Sequence, residues 1–412
     1  MGISRRILKV PARSSFSGMK RPVRPPIIAL ANDPWQSPRA GRQQILSRLG
    51  ERGWPVLYSN GPITLWDRNG EEWKQAGLLD RIERHRGVFV HVPGRAFAPW
   101  PKFKAWSRWS IRRHYARLTK SITTLAGTPK IFLLFHPNFL PYAEAANGAL
   151  VIYHAFDAFA MTPGWRDDDT MNEKALVERA DLILATSPAI KRKLPQPGPE
   201  KSIELHNGVD FEQFASGPSA PVPIDLGKIP GPRIGFVGRI TPKVDFELVA
   251  EIAERQPGWN WVFVGPVAIS PDSADERQIV ARRGLARCRE RPNIHFLGQK
   301  HHTELPAYMA NMDVNVISNR IGGGWWEAAY PLKIHEYLAT GRPVVSSDLE
   351  TVRQFEDVVE IAHSVDDWIR AIGRAIAGGG VGTAEQRIEI ARQNSWDIRV
   401  DQLERILLDR LS

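Results

Sequence analysis

Lys333 and Glu336 stand three residues apart in the run Tyr330-Pro-Leu-Lys-Ile-His-Glu-Tyr-Leu-Ala-Thr-Gly-Arg-Pro-Val-Val345. Proline is tolerated in the first turn of a helix, so the run predicts a helix that opens near Pro331 and stops at Gly341. Residues three apart share a helical face. Free N–H groups and the dipole near a helix N-terminus attract phosphate. Lys333 adds positive charge there, and Glu336 can accept two hydrogen bonds from a ribose diol. An ordinary surface ion pair has the same spacing, so spacing alone leaves both readings open. A second basic segment, Gly235-Phe-Val-Gly-Arg-Ile-Thr-Pro-Lys-Val-Asp245, ends an apolar strand at Gly238. Arg239 and Lys243 then lie in the loop before a helix, and such a turn can cradle an anion. A third segment, Tyr153-His154-Ala-Phe-Asp157, follows the apolar run Ala149–Ile152. It places two titratable groups at the carboxyl end of a strand, where α/β sheets form clefts. The plainer alternatives are a turn cap for Asp157 and a satisfied core histidine for His154.

These groups need elements to hold them, and the chain has an alternating pattern that supplies them. Continuous apolar runs predict buried parallel strands at Pro26–Ala31, Pro55–Ser59, Val88–Val92, Ile131–Phe135, Ala149–Tyr153 and Leu182–Ala185. Amphipathic segments such as Gly41–Glu51 and Asn172–Ala180 fall between them. The proline-rich stretch 216–232 has little periodicity and reads as a linker. The alternation then restarts, with strands expected at Ile234–Val237, Trp261–Val264, Ile294–Phe296, Val314–Ile317, Pro343–Ser346 and Val358–Ile361. The pattern predicts two doubly wound, Rossmann-like α/β domains, over 25–215 and 233–393, with a cleft between them. A last amphipathic helix falls in 394–412.

At 412 residues the chain is too long for one ordinary core and suits two domains. A hydrophobic share of 42% and a charged share of 24% argue against a disordered chain. Cys288 is the single cysteine, so no intrachain disulfide can form, which suits a reducing cytoplasm. No apolar run is long enough to span a membrane. The basic segment 1–24 lacks the apolar core of a secretory signal and reads as a disordered tail, or as residues ahead of a true start at Met19. A net charge of +10 calls for an anionic partner: a phosphorylated substrate, a membrane surface or nucleic acid. No nucleic-acid-binding module accompanies the charge, which disfavours the last.

The order of the second-half motifs resembles the nucleotide-binding half of GT-B glycosyltransferases. The matching run is Gly235–Asp245, Trp261-Val-Phe-Val-Gly-Pro266, Asn293-Ile-His-Phe-Leu-Gly298, Leu305-Pro-Ala-Tyr-Met309, Met312-Asp-Val-Asn-Val-Ile317 and Pro331–Val345. In the first half, Ala180–Ser187 and Asn207–Phe214 are similar as well. The whole looks like bacterial exopolysaccharide transferases of the xanthan glucuronosyltransferase type. The resemblance implies a nucleotide-sugar substrate, UDP-linked by first expectation, and no separate cofactor or metal. It makes Gly238, Arg239, Lys243 and Lys333 contacts of the donor diphosphate and Glu336 the ribose ligand. The loop Ile321-Gly-Gly-Gly-Trp-Trp-Glu327 would bring Gly323 and Gly324 to the donor. Many retaining relatives carry a glutamate eight residues before the one equivalent to Glu336. Here that position is Ala328, and Glu327 is one residue out of register, which leans the reading toward inversion. An inverting transfer needs a general base, for which Asp157 is the first choice and His154 the second. A sugar-nucleotide 2-epimerase and a non-catalytic nucleotide-binding relative share the architecture and stand as alternatives.

Three further features bear on the acceptor. The loop after the first strand offers Asp33, Arg39 and Arg42 to a phosphate or a sugar. Asp167, Asp168 and Asp169 could suggest a metal motif, but they sit in a polar stretch and read as a solvated loop. The segment Lys102–Lys120 holds no acid, and Phe103, Trp106, Trp109 and Arg113 fall roughly on one helical face. A basic, aromatic helix suits an anionic membrane beside a lipid-diphosphate-linked glycan acceptor. Equally, those aromatics could fill a core.

Overall fold

The computed structural model of the chain describes residues 24–36, 41–100, 102–322 and 324–412. The basic tail and Arg39 therefore lie outside the described residues, as does Gly323.

Two sheets are present. The first holds β1 (Ile27–Leu30), β2 (Val56–Ser59), β3 (Arg81–His85), β4 (Val88–Val92), β5 (Ile131–Leu134), β6 (Leu150–Ala155), β7 (Leu182–Ala185) and β8 (Ser202–Glu204). Its order is β3-β4-β2-β1-β5-β6-β7-β8. All of its neighbours run parallel except the β3–β4 hairpin. The second holds β9 (Arg233–Val237), β10 (Asn260–Val264), β11 (Ile294–Phe296), β12 (Val314–Ile317), β13 (Val344–Ser347) and β14 (Glu360–Ala362). It is parallel throughout, in the order β11-β10-β9-β12-β13-β14. The central strands are buried on both faces, which is why they read as unbroken apolar runs. Each fully buried Val, Leu or Ile there contributes roughly 1.5–3 kcal/mol.

Strand order reverses at β1 in the first sheet and at β9 in the second. Loops diverge at such switch points and leave a crevice beyond the carboxyl ends of the strands. The residues after β1 and β9, Asp33 and Gly238 among them, are thus placed at the mouths of two crevices.

The stretch 216–232 is more structured than a proline-rich linker. It contains the short helix Ile224–Gly227, and Leu226 and Ile229 are buried in a cluster with Phe214, Tyr308 and Leu338 of the second half. The helix Trp396–Leu411 returns to the first sheet. Trp396, Val400, Leu403 and Leu407 pack in one cluster with Ile45, Leu49, Trp54 and the first-sheet strands. Arg52 ties the two helices together through Asp397, Asp401 and Glu404. Asp167, Asp168 and Asp169 do not form a loop. They occupy the first turn of the helix Asp167–Arg179, where negative charge opposes the macrodipole, and Asp169 accepts the Arg166 backbone N–H.

The helix Lys104–Ala126 resolves which of its faces packs. Ser110, His114, Leu118 and Ile122 are the buried residues, while Phe103, Trp106 and Trp109 stay exposed. Polar side chains replace the aromatics inside because each has a partner. Ser110 Oγ donates to the Phe97 carbonyl, and His114 Nδ1 lies 2.7 Å from the Tyr142 hydroxyl.

Candidate active site

A cavity of about 460 Å³ opens between the two sheets. Gly238, Arg239, Lys243, Lys333 and Glu336 line it from the second sheet, and Arg42 and His154 line it from the first. Residues from segments almost a hundred positions apart meet here because β9 and the helix Lys333–Ala339 are pinned together. The Tyr337 hydroxyl accepts the Val237 N–H at 2.8 Å and donates to the Val237 carbonyl at 3.1 Å. That double bond to the end of β9 sets Lys333 directly against the Gly238 turn.

Gly238 has φ +131°, in the left-handed region, and a Cβ there would come within 3.2 Å of Lys333 Nζ. Both the backbone and the lysine therefore require glycine at this position. Lys333 Nζ sits 3.5 Å from the Phe236 ring centroid, is shielded from water, and has no hydrogen-bond partner among the described residues. Burial pushes its ammonium well below the ordinary lysine range, and the charge of Lys243 pushes the same way. Lys243 is itself lowered by burial, with Asp157 opposing. Glu336 is pushed up to about 7 by burial, against the pull of Lys333. Two cations desolvated beside each other without a bound acid are costly. An anion between them would relieve that cost, and a diphosphate has the right charge and size. The helix Lys333–Ala339 has only seven residues. The positive character of this wall therefore comes from the cations rather than from a long helix dipole.

In the Trp-rich loop, Gly323 lies outside the described residues, and the tryptophans rather than Gly324 reach the cavity. Gly324 is extended (φ −163°) and does not line the cavity; a Cβ on it would meet the Trp326 ring at 2.3 Å. Trp325 and Trp326 are the lining residues, and Trp326 Nε1 donates to the Arg320 carbonyl at 2.8 Å. Glu327 accepts the Gly324 N–H, and Ala328 is buried. The Ala328 carbonyl accepts a bond from Ser187 of the first half at 2.7 Å.

On the opposite wall, His154 is the next-to-last residue of β6 rather than after it, paired with Leu184. Its ring centroid lies 5.1 Å from that of Phe135, the planes tilted by 50°. Burial lowers its imidazole to about 4, so the ring is neutral near pH 7, and its Nε2 has no partner among the described residues. Asp157 follows two residues beyond β6. It accepts the Ala158 N–H at 2.9 Å, and burial pushes it up to about 6 although Lys243 and that N–H pull it down. The electrostatic link between Asp157 and Lys243 joins the two halves across the cleft. Asp33 is less central: its carboxylate pairs with Arg42 at 2.5 Å, and it is Arg42 that reaches the cavity. Trp106 and Trp109 are absent from the cavity lining and belong to the outer surface. Asn207, which donates to the Tyr330 carbonyl at 3.0 Å, is a lining residue with no sequence signal beyond its place in the Asn207–Phe214 motif.

Among the described residues no cluster of His, Cys, Asp and Glu could hold a metal ion, and no helix is long and apolar enough to cross a membrane.

Two parallel-sheet domains, a switch-point cleft and cationic residues on one wall define a GT-B architecture. Solved structures agree on the fold. Anabaena HepE in complex with UDP and glucose superposes with a TM-score of 0.65 at 15% identity, covering 93% of this chain and 99% of that one. Sucrose-phosphate synthase from Thermosynechococcus elongatus gives 0.67 at 16% identity, covering 94% and 99%. Residues 231–377 match the family model for glycosyl transferases group 1. Curated relatives include a putative teichuronic acid biosynthesis glycosyltransferase, TuaH, of Bacillus subtilis, 30% identical over 240 residues, or 56% of this chain and 57% of that protein. A D-inositol 3-phosphate glycosyltransferase of Mycobacteroides abscessus is 25% identical over 244 residues, 57% and 53% of the two chains. The chain thus spans about half the length of the curated relatives it matches.

Proposed function

We propose that the protein transfers a sugar from a nucleoside diphosphate to a hydroxyl of a glycan acceptor. The observation that carries this reading is the cavity wall on which Lys333, partnerless and desolvated, stands with Lys243, Arg239 and Glu336. The three cations hold the diphosphate and Glu336 accepts the ribose hydroxyls. Asp157 takes the acceptor O–H proton as the oxygen attacks the anomeric carbon. The bond from that carbon to the phosphate oxygen breaks from the opposite side, which inverts the centre. The departing diphosphate keeps the electron pair and is stabilised by the cations already in place. A carboxylate with a pKa near 6 is suited to accept a proton at neutral pH. His154, neutral and open at Nε2, hydrogen-bonds the donor sugar or the incoming hydroxyl.

UDP is the first donor base to test, since a neighbour in fold was solved with it. A cell-surface polysaccharide or a lipid-diphosphate-linked glycan suits the acceptor, given the teichuronic acid role named for one relative. The reaction then belongs on the cytoplasmic side of the membrane, with the enzyme in peripheral contact with anionic lipid. Calorimetry with UDP and with GDP, on the wild type and on Glu336→Ala, tests the donor site. Micromolar binding of one nucleotide, weakened at least tenfold in the mutant, is expected. A folded wild type that binds neither nucleotide would remove the reading.

A further inference from the structure

We infer that the outer face of the first domain is a docking surface for an anionic lipid bilayer. This deepens the reading above, which places the acceptor on lipid, but its physical basis is separate.

The charge is concentrated to an unusual degree. From Arg84 to Ala143 the chain has eleven Lys and Arg and no Asp or Glu, whereas the whole chain carries a net +10. That segment alone matches the chain's net charge; the stretch 1–24, with seven Lys and Arg and no acid, is the other basic block, and the residues outside both carry a net charge of −8. Lys102, Lys104, Arg108, Arg112, Arg117 and Lys120 are all exposed.

Large apolar side chains share this face. Trp66 is 60% exposed, Phe103 54%, Trp109 46%, Trp100 42% and Trp106 41%, and Leu79 is 63% exposed. They form one patch. Trp100 and Phe103 are 4.5 Å apart, Trp106 and Trp109 are 4.8 Å apart, and the Lys102 ammonium lies 5.8 Å from the Trp66 ring. Leu78 and Leu79 are held beside it because Arg95 and Ala96 donate their N–H groups to the Gly77 and Leu78 carbonyls. Trp100 and Phe103 lie on the loop that leads into the helix Lys104–Ala126, Trp66 in the short helical turn Leu65–Asp67, and Leu78 and Leu79 just before β3. The patch is therefore not simply an amphipathic helix turned the wrong way.

Soluble surfaces rarely collect exposed aromatics in this way unless a partner covers them. Indole rings favour the boundary between headgroups and acyl chains, and Lys and Arg beside them are drawn to acidic lipids. A protein partner with an apolar face would explain the tryptophans but not a sixty-residue segment without an acid. A polyanion such as RNA would explain the charge but not Leu78 and Leu79. The bilayer accounts for both.

The test is co-sedimentation of the full chain with vesicles of phosphatidylcholine, with and without phosphatidylglycerol. Binding is expected to require phosphatidylglycerol and to weaken at high salt. Trp66→Ser/Leu79→Ser/Phe103→Ser should reduce it at least tenfold, and Lys104→Gln/Arg108→Gln/Arg112→Gln should do the same through charge. Both variants should keep the wild type's circular dichroism spectrum and thermal melting curve, which shows that they fold. A wild type that stays in the supernatant overturns the proposal. So does an apolar variant that pellets unchanged, or one that instead abolishes a concentration-dependent dimer or RNA binding. Neither donor nor acceptor enters the assay, so this result and the calorimetric one succeed or fail separately.

Discussion

The two walls of the cleft solve different problems. On the second-domain wall, Gly238, Arg239, Lys243, Lys333 and Glu336 come from two short segments, and one tyrosine bonded to the end of β9 locks those segments together. On the first-domain wall, Arg42 comes from the helix after β1 and His154 from the end of β6, with Asp157 three residues on and set back from the cavity lining, each held by local contacts. Under the proposed function, a diphosphate is a small, invariant anion that a compact set of buried charges on the second-domain wall would suit. The proposed acceptor is larger and more varied, and the first-domain side would meet it with His154 and Asp157, whose protonation burial shifts.

The sharpest way to break this comparison is to remove one group from the acceptor wall. Asp157→Asn keeps the volume and deletes the base. Transfer should fall by ~10²–10⁴ with UDP affinity unchanged, because general-base catalysis is worth about that much. The pH profile supplies the sign. Asp157 must be ionised to act, so kcat/KM should rise as pH increases through about 6, and that limb should vanish in the mutant. If donor binding collapses together with transfer, the two walls are not separable and Asp157 belongs to the donor site.

A second prediction concerns what the first wall is built on. Trp396 packs against Gly41 and Gly208, and its N–H donates to the Val209 carbonyl at 2.9 Å. The last helix is thus part of the first domain's core although it follows the second in sequence. Trp396→Ala should cost ~3–5 kcal/mol in a denaturant melt, as buried Trp truncations do. A loss under about 1 kcal/mol would show that the helix is an appendage.

Legibility in the sequence followed the same divide. Buried parallel strands announce themselves, and the donor wall sits at the ends of such strands on motifs a few residues long. β3, with sequence Arg-Ile-Glu-Arg-His, is an edge strand whose half-exposed, charged residues carry no apolar run, and it was invisible for that reason. The stretch 216–232 hid Leu226 and Ile229 behind prolines. On the helix Lys104–Ala126, apolar periodicity cannot rank Ser110 and His114 above three aromatics. Their burial depends on partners, the Phe97 carbonyl and Tyr142, that only tertiary structure brings near. Trp326, rather than Gly324, reaches the cavity because the loop folds its ring back over Gly324.

The smallest effect tests how the walls are held face to face. Arg192 of the first domain grips both oxygens of Glu350 of the second, with its guanidinium 2.6 Å from Oε2. Both side chains are substantially exposed, so the pair is worth less than about 1 kcal/mol to the fold. Its position matters more than its energy. Ser187 bonds the Ala328 carbonyl, Asn207 the Tyr330 carbonyl and Gln213 the His302 carbonyl, so further polar contacts join the two domains, and the exposed Arg192–Glu350 pair is one that salt can loosen. Glu350→Gln should leave the melting curve within error while widening the distribution of interdomain distances seen by fluorescence transfer between dyes on the two domains. It should also raise KM for the acceptor more than for the donor, since the acceptor must be held by one wall and reacted on the other. An unchanged distance distribution would mean that the other interdomain contacts, Ser187, Asn207 and Gln213 among them, set the geometry without this pair.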